Sequence, residues 1–159
     1  MKYLIVISDT HGRVEKLKNL LPIINDADYL IFLGDCTGDL YPLKKEITVP
    51  IIAVNGNCDG IKAYEDKEVF EWHGHKLFIA HGHRYGVKRD LLDITYAAKE
   101  AGCDYALFGH THEALIEEYD GVTLVNPGSL AEPRFSQASY CVITEEQGKI
   151  FPKIIYISA

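Results

Sequence analysis

An α/β fold of two packed β-sheets flanked by helices is the class that this 159-residue sequence predicts. Three observations lead there. Uninterrupted apolar runs alternate with helix-period segments in the first half of the chain, whereas from Asp104 onward the pattern is mostly strand. Nearly every apolar run also ends in a polar cluster rich in Asp, His or Asn.

The first run, Tyr3 to Ser8, is apolar and β-branched. Arg13 to Ile24 puts Val14, Leu17, Leu20, Leu21 and Ile24 on one face, which predicts a single helix with Pro22 distorting its last turn. "DYLIFLGD" is a second buried strand, Leu40 to Glu46 a short helix, and "PIIAVNGN" a third strand. Buried runs joined by helices predict a largely parallel sheet covered on both faces. "EVFEWHGHKLFIAHG" predicts a hairpin turning at Gly74, with His73 and His75 solvated. "KRDLLDITYAAKEAG" predicts a helix capped by Gly102. "YALFG", "ALIEEY", "TLVNP", "YCVITEE" and "IFPKIIYI" supply further strands, with turns at Gly121 and Gly148. No repeat, low-complexity tract or linker interrupts the pattern, so residues 1–159 read as one domain.

Charge narrows the function. Sixteen Lys and Arg against 23 Asp and Glu give −7, and no basic run exceeds Lys44-Lys45, so a nucleic-acid-binding patch is not expected. No apolar stretch approaches the ~20 residues of a spanning helix, and "LIVI" is too short for a signal-peptide core. Cys36, Cys58, Cys103 and Cys141 are widely spaced and read as reduced thiols of a cytoplasmic protein.

The clusters are Asp9-Thr10-His11-Gly12, Gly34-Asp35, Asn55 to Asp59, His81-Gly82-His83, Gly109-His110-Thr111-His112 and Asn126 to Ser129. In α/β sheets, ligands bind beyond the carboxyl ends of the strands. Extended backbone directs residues i and i+2 to one side, so Asp9 would converge with His11, and His110 with His112. One such pair is ordinarily a hydrogen-bonding feature, and Asn126 to Ser129 alone is a tight turn. The whole set needs a common cause. Carboxylate, imidazole and amide oxygen form a mixed N/O ligand set for a divalent metal. Zinc-finger thiolate pairs are absent.

In order, "DTH", "GD", "GNCD", "HGH" and "GHTH" resemble the calcineurin-like metallophosphoesterases, whose pattern is D-x-H, G-D, G-N-H-[ED], H and G-H-x-H. "NPGS…PR" at Asn126 to Arg134 further resembles the small YfcE-like phosphodiesterase branch. The resemblance implies a four-layer αββα sandwich of two mixed β-sheets flanked by helices. It also implies two divalent ions, manganese being expected and nickel, cobalt, iron or zinc compatible. One ion would be held by Asp9, His11, Asp35 and His112, the other by Asp35, Asn57, His81 and His110. The implied reaction is phosphodiester hydrolysis by a metal-bridging hydroxide, with Asp35, Asn57 and His81 at the catalytic centre and a small phosphodiester as substrate.

Cys58 stands where the family pattern has histidine. Cys58, Asp59, His83 and Arg134 are candidates for substrate contact or for support of the ligands. As a nucleophile Cys58 has no basic neighbour in sequence. Two alternatives share the fold: a phosphomonoesterase, and a non-catalytic interaction module like the retromer scaffold subunit. The intact ligand set favours an enzyme over the latter. A haloacid-dehalogenase-type phosphatase needs D-x-D, and His11 fills the second position. Assembly into a homo-oligomer is compatible with all of these readings.

Overall fold

A computed structural model describes residues 2–60, 64–134 and 137–157. Its strands are β1 (Lys2–Ile7), β2 (Tyr29–Phe32), β3 (Ile51–Ala53), β4 (Lys67–Trp72), β5 (His75–Ala80), β6 (Tyr105–Leu107), β7 (Leu115–Tyr119), β8 (Val122–Asn126), β9 (Ser139–Glu146) and β10 (Lys149–Tyr156). The helices are α1 (Val14–Lys18), α2 (Leu21–Asp26) and α3 (Leu92–Glu100). One five-stranded sheet runs β10-β9-β1-β2-β3 and the other β4-β5-β6-β8-β7. The parallel strands β1-β2-β3 form one side of the first sheet, with β9 and β10 antiparallel beside them, whereas β5-β6-β8 form the centre of the second between antiparallel β4 and β7. The largely parallel sheet expected from the apolar runs is therefore two mixed sheets.

Strand pleat divides the apolar residues among the layers. On β1, Leu4 and Val6 enter the core between the sheets with Ile31, Leu77, Leu107 and Ile143. Ile5 and Ile7 face the other way, against Leu17 and Ile24 of α1 and α2. Phe78 and Ala80 on β5 likewise turn outward to Ile94 and Ala98 of α3. A strand covered on both faces has no polar side, which is why β1 reads as an unbroken apolar run. Three apolar cores between four layers make the αββα sandwich.

Local departures have local causes. The single helix expected over residues 13–24 is two helices, because in a continuous helix the Pro22 ring would meet the carbonyl of Lys18. Pro22 instead sits in the first turn of α2, where no N–H is needed. The short helix expected near residues 40–46 is a 3-10 helix, Thr37–Leu43, with Pro42 inside it. α3 begins at Leu92, whose N–H is accepted by the Asp90 carboxylate at 3.1 Å. It ends as expected at Gly102, where φ is +75°. There Cys103 N–H reaches Ala98 O and Gly102 N–H reaches Lys99 O, a Schellman closure. The hairpin turns at Gly74, but His75 is not a free surface residue. Its ring bridges Asp104 Oδ2 (3.0 Å) and Gly148 O (2.8 Å).

Candidate metal centre

The parallel strands of both sheets end at one place. Beyond β1 come Asp9 and His11, beyond β2 Asp35, beyond β5 His81, and beyond β6 His110 and His112. Neighbouring loops are tied together: Asp9 N–H donates to Gly34 O (3.0 Å) and Gly109 N–H to His81 O (2.8 Å). Gly56 is required by contact, since a Cβ there would strike Asp35 Oδ1 and its amide nitrogen.

Convergence does not come from the strand pleat, as the i, i+2 spacing suggested. Asp9, His11, Asp35, His110 and His112 all take positive φ, between +45° and +70°. Each sits in a tight left-handed turn just past its strand. Such conformations cost non-glycine residues roughly 1–3 kcal/mol apiece and persist where surrounding contacts impose them. The contacts are visible. Ser129 Oγ donates to Asp9 O (2.8 Å), Ser8 Oγ to Asp9 Oδ2 (2.6 Å), and His110 N–H to the same Oδ2 (3.1 Å). Asn126 Nδ2 holds the next turn through Gly109 O and Thr111 Oγ1.

Donor atoms of Asp9, His11, Asp35 and His112 lie within 4.8 Å of one another, as do those of Asp35, His81 and His110. His112 Nε2 is 3.2 Å from Asp9 Oδ1 and 3.1 Å from His11 Nε2. His81 Nε2 is 3.4 Å from Asp35 Oδ2. His81 Nδ1 donates to Leu33 O and His112 Nδ1 to Glu132 O, each at 2.7 Å. A carbonyl only accepts, so both rings carry their proton on Nδ1 and, when neutral, aim a lone pair from Nε2 into the cluster. Asp9 Oδ1 and His81 Nε2 are buried there without a hydrogen-bond partner. Buried polar atoms of this kind are costly unless something occupies them. Two carboxylates and four imidazoles match the donor chemistry of divalent transition ions.

Electrostatics reinforce the arrangement. Burial opposes ionisation of Asp9 and Asp35, yet the surrounding His11, His112 and His81 keep both carboxyl groups below their ordinary range. The hydrogen bond to Asp9 raises the pKa of His11, and Asp35 and Asp9 raise that of His81 against its burial. His110 goes the other way, to about 4, through burial and the charges of His81 and Lys88.

The remaining candidates divide. Asn57 is exposed, and its amide donates to Cys58 Sγ at 3.6 Å. Asp59 accepts from Asp35 N–H, Gly56 N–H and both the N–H and hydroxyl of Thr37, so it braces the Asp35 turn. Cys58 is exposed and its N–H donates to Asp35 Oδ1 (2.9 Å). Burial and Asp35 push its thiol pKa up, the wrong direction for a nucleophile. His83 is half-buried, its ring 5.4 Å from that of His81. The Arg134 side chain is exposed and, among the described residues, has no ion pair; its N–H donates to His112 O. Sequence reading missed Ser8 and Ser129, which hold Asp9, and Asp39, which accepts from Thr10 Oγ1 and Gly12 N–H. Ser129 ends the Asn126 to Ser129 cluster, whose sequence alone reads as a turn; Ser8 and Asp39 carry no spacing signal.

The model of the calcineurin-like phosphoesterase superfamily domain matches residues 1–148. The probable metallophosphoesterase YsnB of Bacillus subtilis is 33% identical over 144 residues, 89% of this chain and 83% of that one. A phosphodiesterase of Methanocaldococcus jannaschii is 30% identical over 141 residues, 77% of this chain and 81% of that one. In fold, a Streptococcus pneumoniae protein described as a predicted phosphoesterase gives a TM-score of 0.82 at 22% identity, covering 97% of this chain and 88% of that one. A family match of this length, with relatives at 30% identity or more, assigns the chain to the calcineurin-like phosphoesterase superfamily, as a metallophosphoesterase.

Proposed function

We propose that the protein hydrolyses small phosphodiesters with two divalent ions, manganese before nickel, cobalt, iron or zinc. The observation that carries this reading is the sharing of Asp35 between the two donor clusters. Asp9, His11, Asp35 and His112 would hold one ion; Asp35, His81 and His110 the other, with Asn57 completing the second set. When bound, such a pair would supply activation of water as the nucleophile at neutral pH and positive charge for the phosphoryl oxygens.

The chain's own residues do the rest. Leu33 O and Glu132 O fix two imidazoles in the donating tautomer, so the site needs no reorganisation as charge develops. Asp59 anchors the turn that carries Asp35. His83 would donate a hydrogen bond to a non-bridging phosphoryl oxygen. Position 58 offers a tightly protonated thiol instead of an imidazole. A departing alkoxide therefore receives no positioned acid from it, and substrates with stabilised leaving groups should react fastest. Free cysteines at 36, 58, 103 and 141 support a reducing, cytoplasmic setting. No helix among the described residues is long and apolar enough to cross a membrane.

The test is to strip the protein with chelator, reload it with each ion in turn, and compare bis(4-nitrophenyl) phosphate with 4-nitrophenyl phosphate. Metal-dependent diester hydrolysis and two ions per chain by elemental analysis are expected. Faster monoester hydrolysis would make it a phosphomonoesterase. No turnover with any ion would favour the interaction module.

A further inference from the structure

A groove of ≈ 590 Å³ opens beside the candidate metal centre. Cys36, Leu40, Tyr41, Lys44, Cys58 and Tyr64 are among the residues that line it. Its near end adjoins the centre: Cys36 follows Asp35 in the chain, and the Cys58 backbone N–H donates to Asp35 Oδ1 at 2.9 Å. The volume falls within the roughly 300–1,000 Å³ of small-molecule sites.

The lining narrows what would fill it. Asp39 and Asp59 also border the groove, but Asp39 Oδ2 and both Asp59 oxygens are engaged by Thr10, Gly12, Asp35, Thr37 and Gly56. That leaves two phenol rings, an aliphatic wall, thiols and the single cation of Lys44, which has no ion pair among the described residues. Tyr41 is 80% exposed and presents its ring at the mouth. Tyr64 lies half-buried against the outer core of the first sheet. The cysteine at 58, smaller than an imidazole, is one of the lining residues and is the neighbour of Asp35 on that side.

We propose that this groove is the subsite for an ester substituent of the substrate, and that Tyr41 and Tyr64 select flat aromatic substituents over small alkyl ones. The inference rests on the phosphodiesterase reading above and names its substrate class. Leaving-group acidity could mimic such a preference in rates, so the test uses binding of compounds that cannot react. Phenylphosphonate and methylphosphonate share a charged head and differ only in the group the groove would take.

Calorimetric titration of the manganese-loaded protein should show phenylphosphonate binding about tenfold tighter, the range of one aromatic stacking contact. Tyr41→Ala, at an exposed position where folding is not at stake, should remove most of that ratio. Tyr41→Ala/Tyr64→Leu should bring it near one, with methylphosphonate affinity and metal content unchanged. Equal affinities in the native protein, or a preference that survives the double substitution, overturns the subsite. Selective phenylphosphonate binding without diester hydrolysis would instead overturn the phosphodiesterase reading and leave the subsite standing. Hydrolysis with no phenyl preference does the reverse.

Discussion

Asp35 is the one residue common to both donor clusters, and in the proposed two-ion site its charge would be shared by both cations. Asp35→Asn keeps the shape and removes that charge. Outer partners of metal ligands typically change affinity or activity 10–100-fold; loss of a shared ligand should exceed about a hundredfold in diester hydrolysis. Elemental analysis should find fewer than two ions per chain. A variant that retains two ions and near-native turnover refutes the shared-ligand assignment. Cys58 gives the opposite expectation. Burial and the neighbouring Asp35 carboxylate raise its thiol pKa, which disfavours the thiolate, and its backbone N–H donates to Asp35 Oδ1. Cys58→Ser should therefore leave turnover essentially unchanged; abolished activity with both ions still bound would make the thiol catalytic. Most of these residues were legible in the sequence because carboxylates and imidazoles two apart after apolar runs are chemically expensive. Asn57 shows where legibility stops. Its residue type fits the pattern, but the sequence does not say that its side chain is exposed and donates to Cys58 Sγ.

Elements were legible to different depths. Apolar period and glycine punctuation are local signals, so the β4–β5 hairpin and the end of α3 lie where the sequence puts them. The left-handed turns at Asp9, His11, Asp35, His110 and His112 were not legible, because hydrogen bonds from distant loops impose them. The same holds for His75, whose partners Asp104 and Gly148 lie 29 and 73 residues away. A neutral imidazole donates one hydrogen bond, whereas the charged ring satisfies Asp104 and the Gly148 carbonyl together. Those two acceptors raise the His75 pKa. Its contribution to stability is thus fully present below the ordinary value near 6.5 and is lost as pH rises through the raised one. His75→Ala should cost about 1 kcal/mol at pH 5.5, reduced from a buried pair by the exposure of Asp104. Melting temperatures of the two proteins should draw together toward pH 9. A gap that is constant, or that widens with pH, contradicts the clasp.

Across the whole molecule, the architecture explains why so few residues do so much. Two parallel strand triplets from separate sheets end at one place, so side chains a hundred or more positions apart, such as those of His11 and His112, meet there. Packing of one sheet on the other is readable from two-sided apolar strands; the register that brings His112 to His11 is not. Charge drawn to this point is what ties metal, protons and stability together. A metal that binds only the folded chain stabilises it by about 2.7 kcal/mol at a hundred times its Kd, or roughly 5–10 °C for a chain of this size. Protons compete for the same lone pairs. His11 and His81, raised by Asp9 and Asp35, take up protons in the metal-free fold at higher pH than in the unfolded chain. Their protonation therefore stabilises the metal-free protein below about pH 6.5, an effect that fades as pH rises through the raised values. Metal stabilisation runs the other way, because ligation needs neutral rings and releases protons. His110, lowered to about 4, stays neutral throughout this range and does not limit it. Scanning calorimetry with and without Mn²⁺ should accordingly show a gain in melting temperature that is largest at pH 8 and small by pH 5.5. Proton release on titration with Mn²⁺ should rise as the starting pH is lowered from 8 to 6.5. A gain independent of pH, or one that grows toward acid, would mean that the ion binds somewhere other than among these histidines.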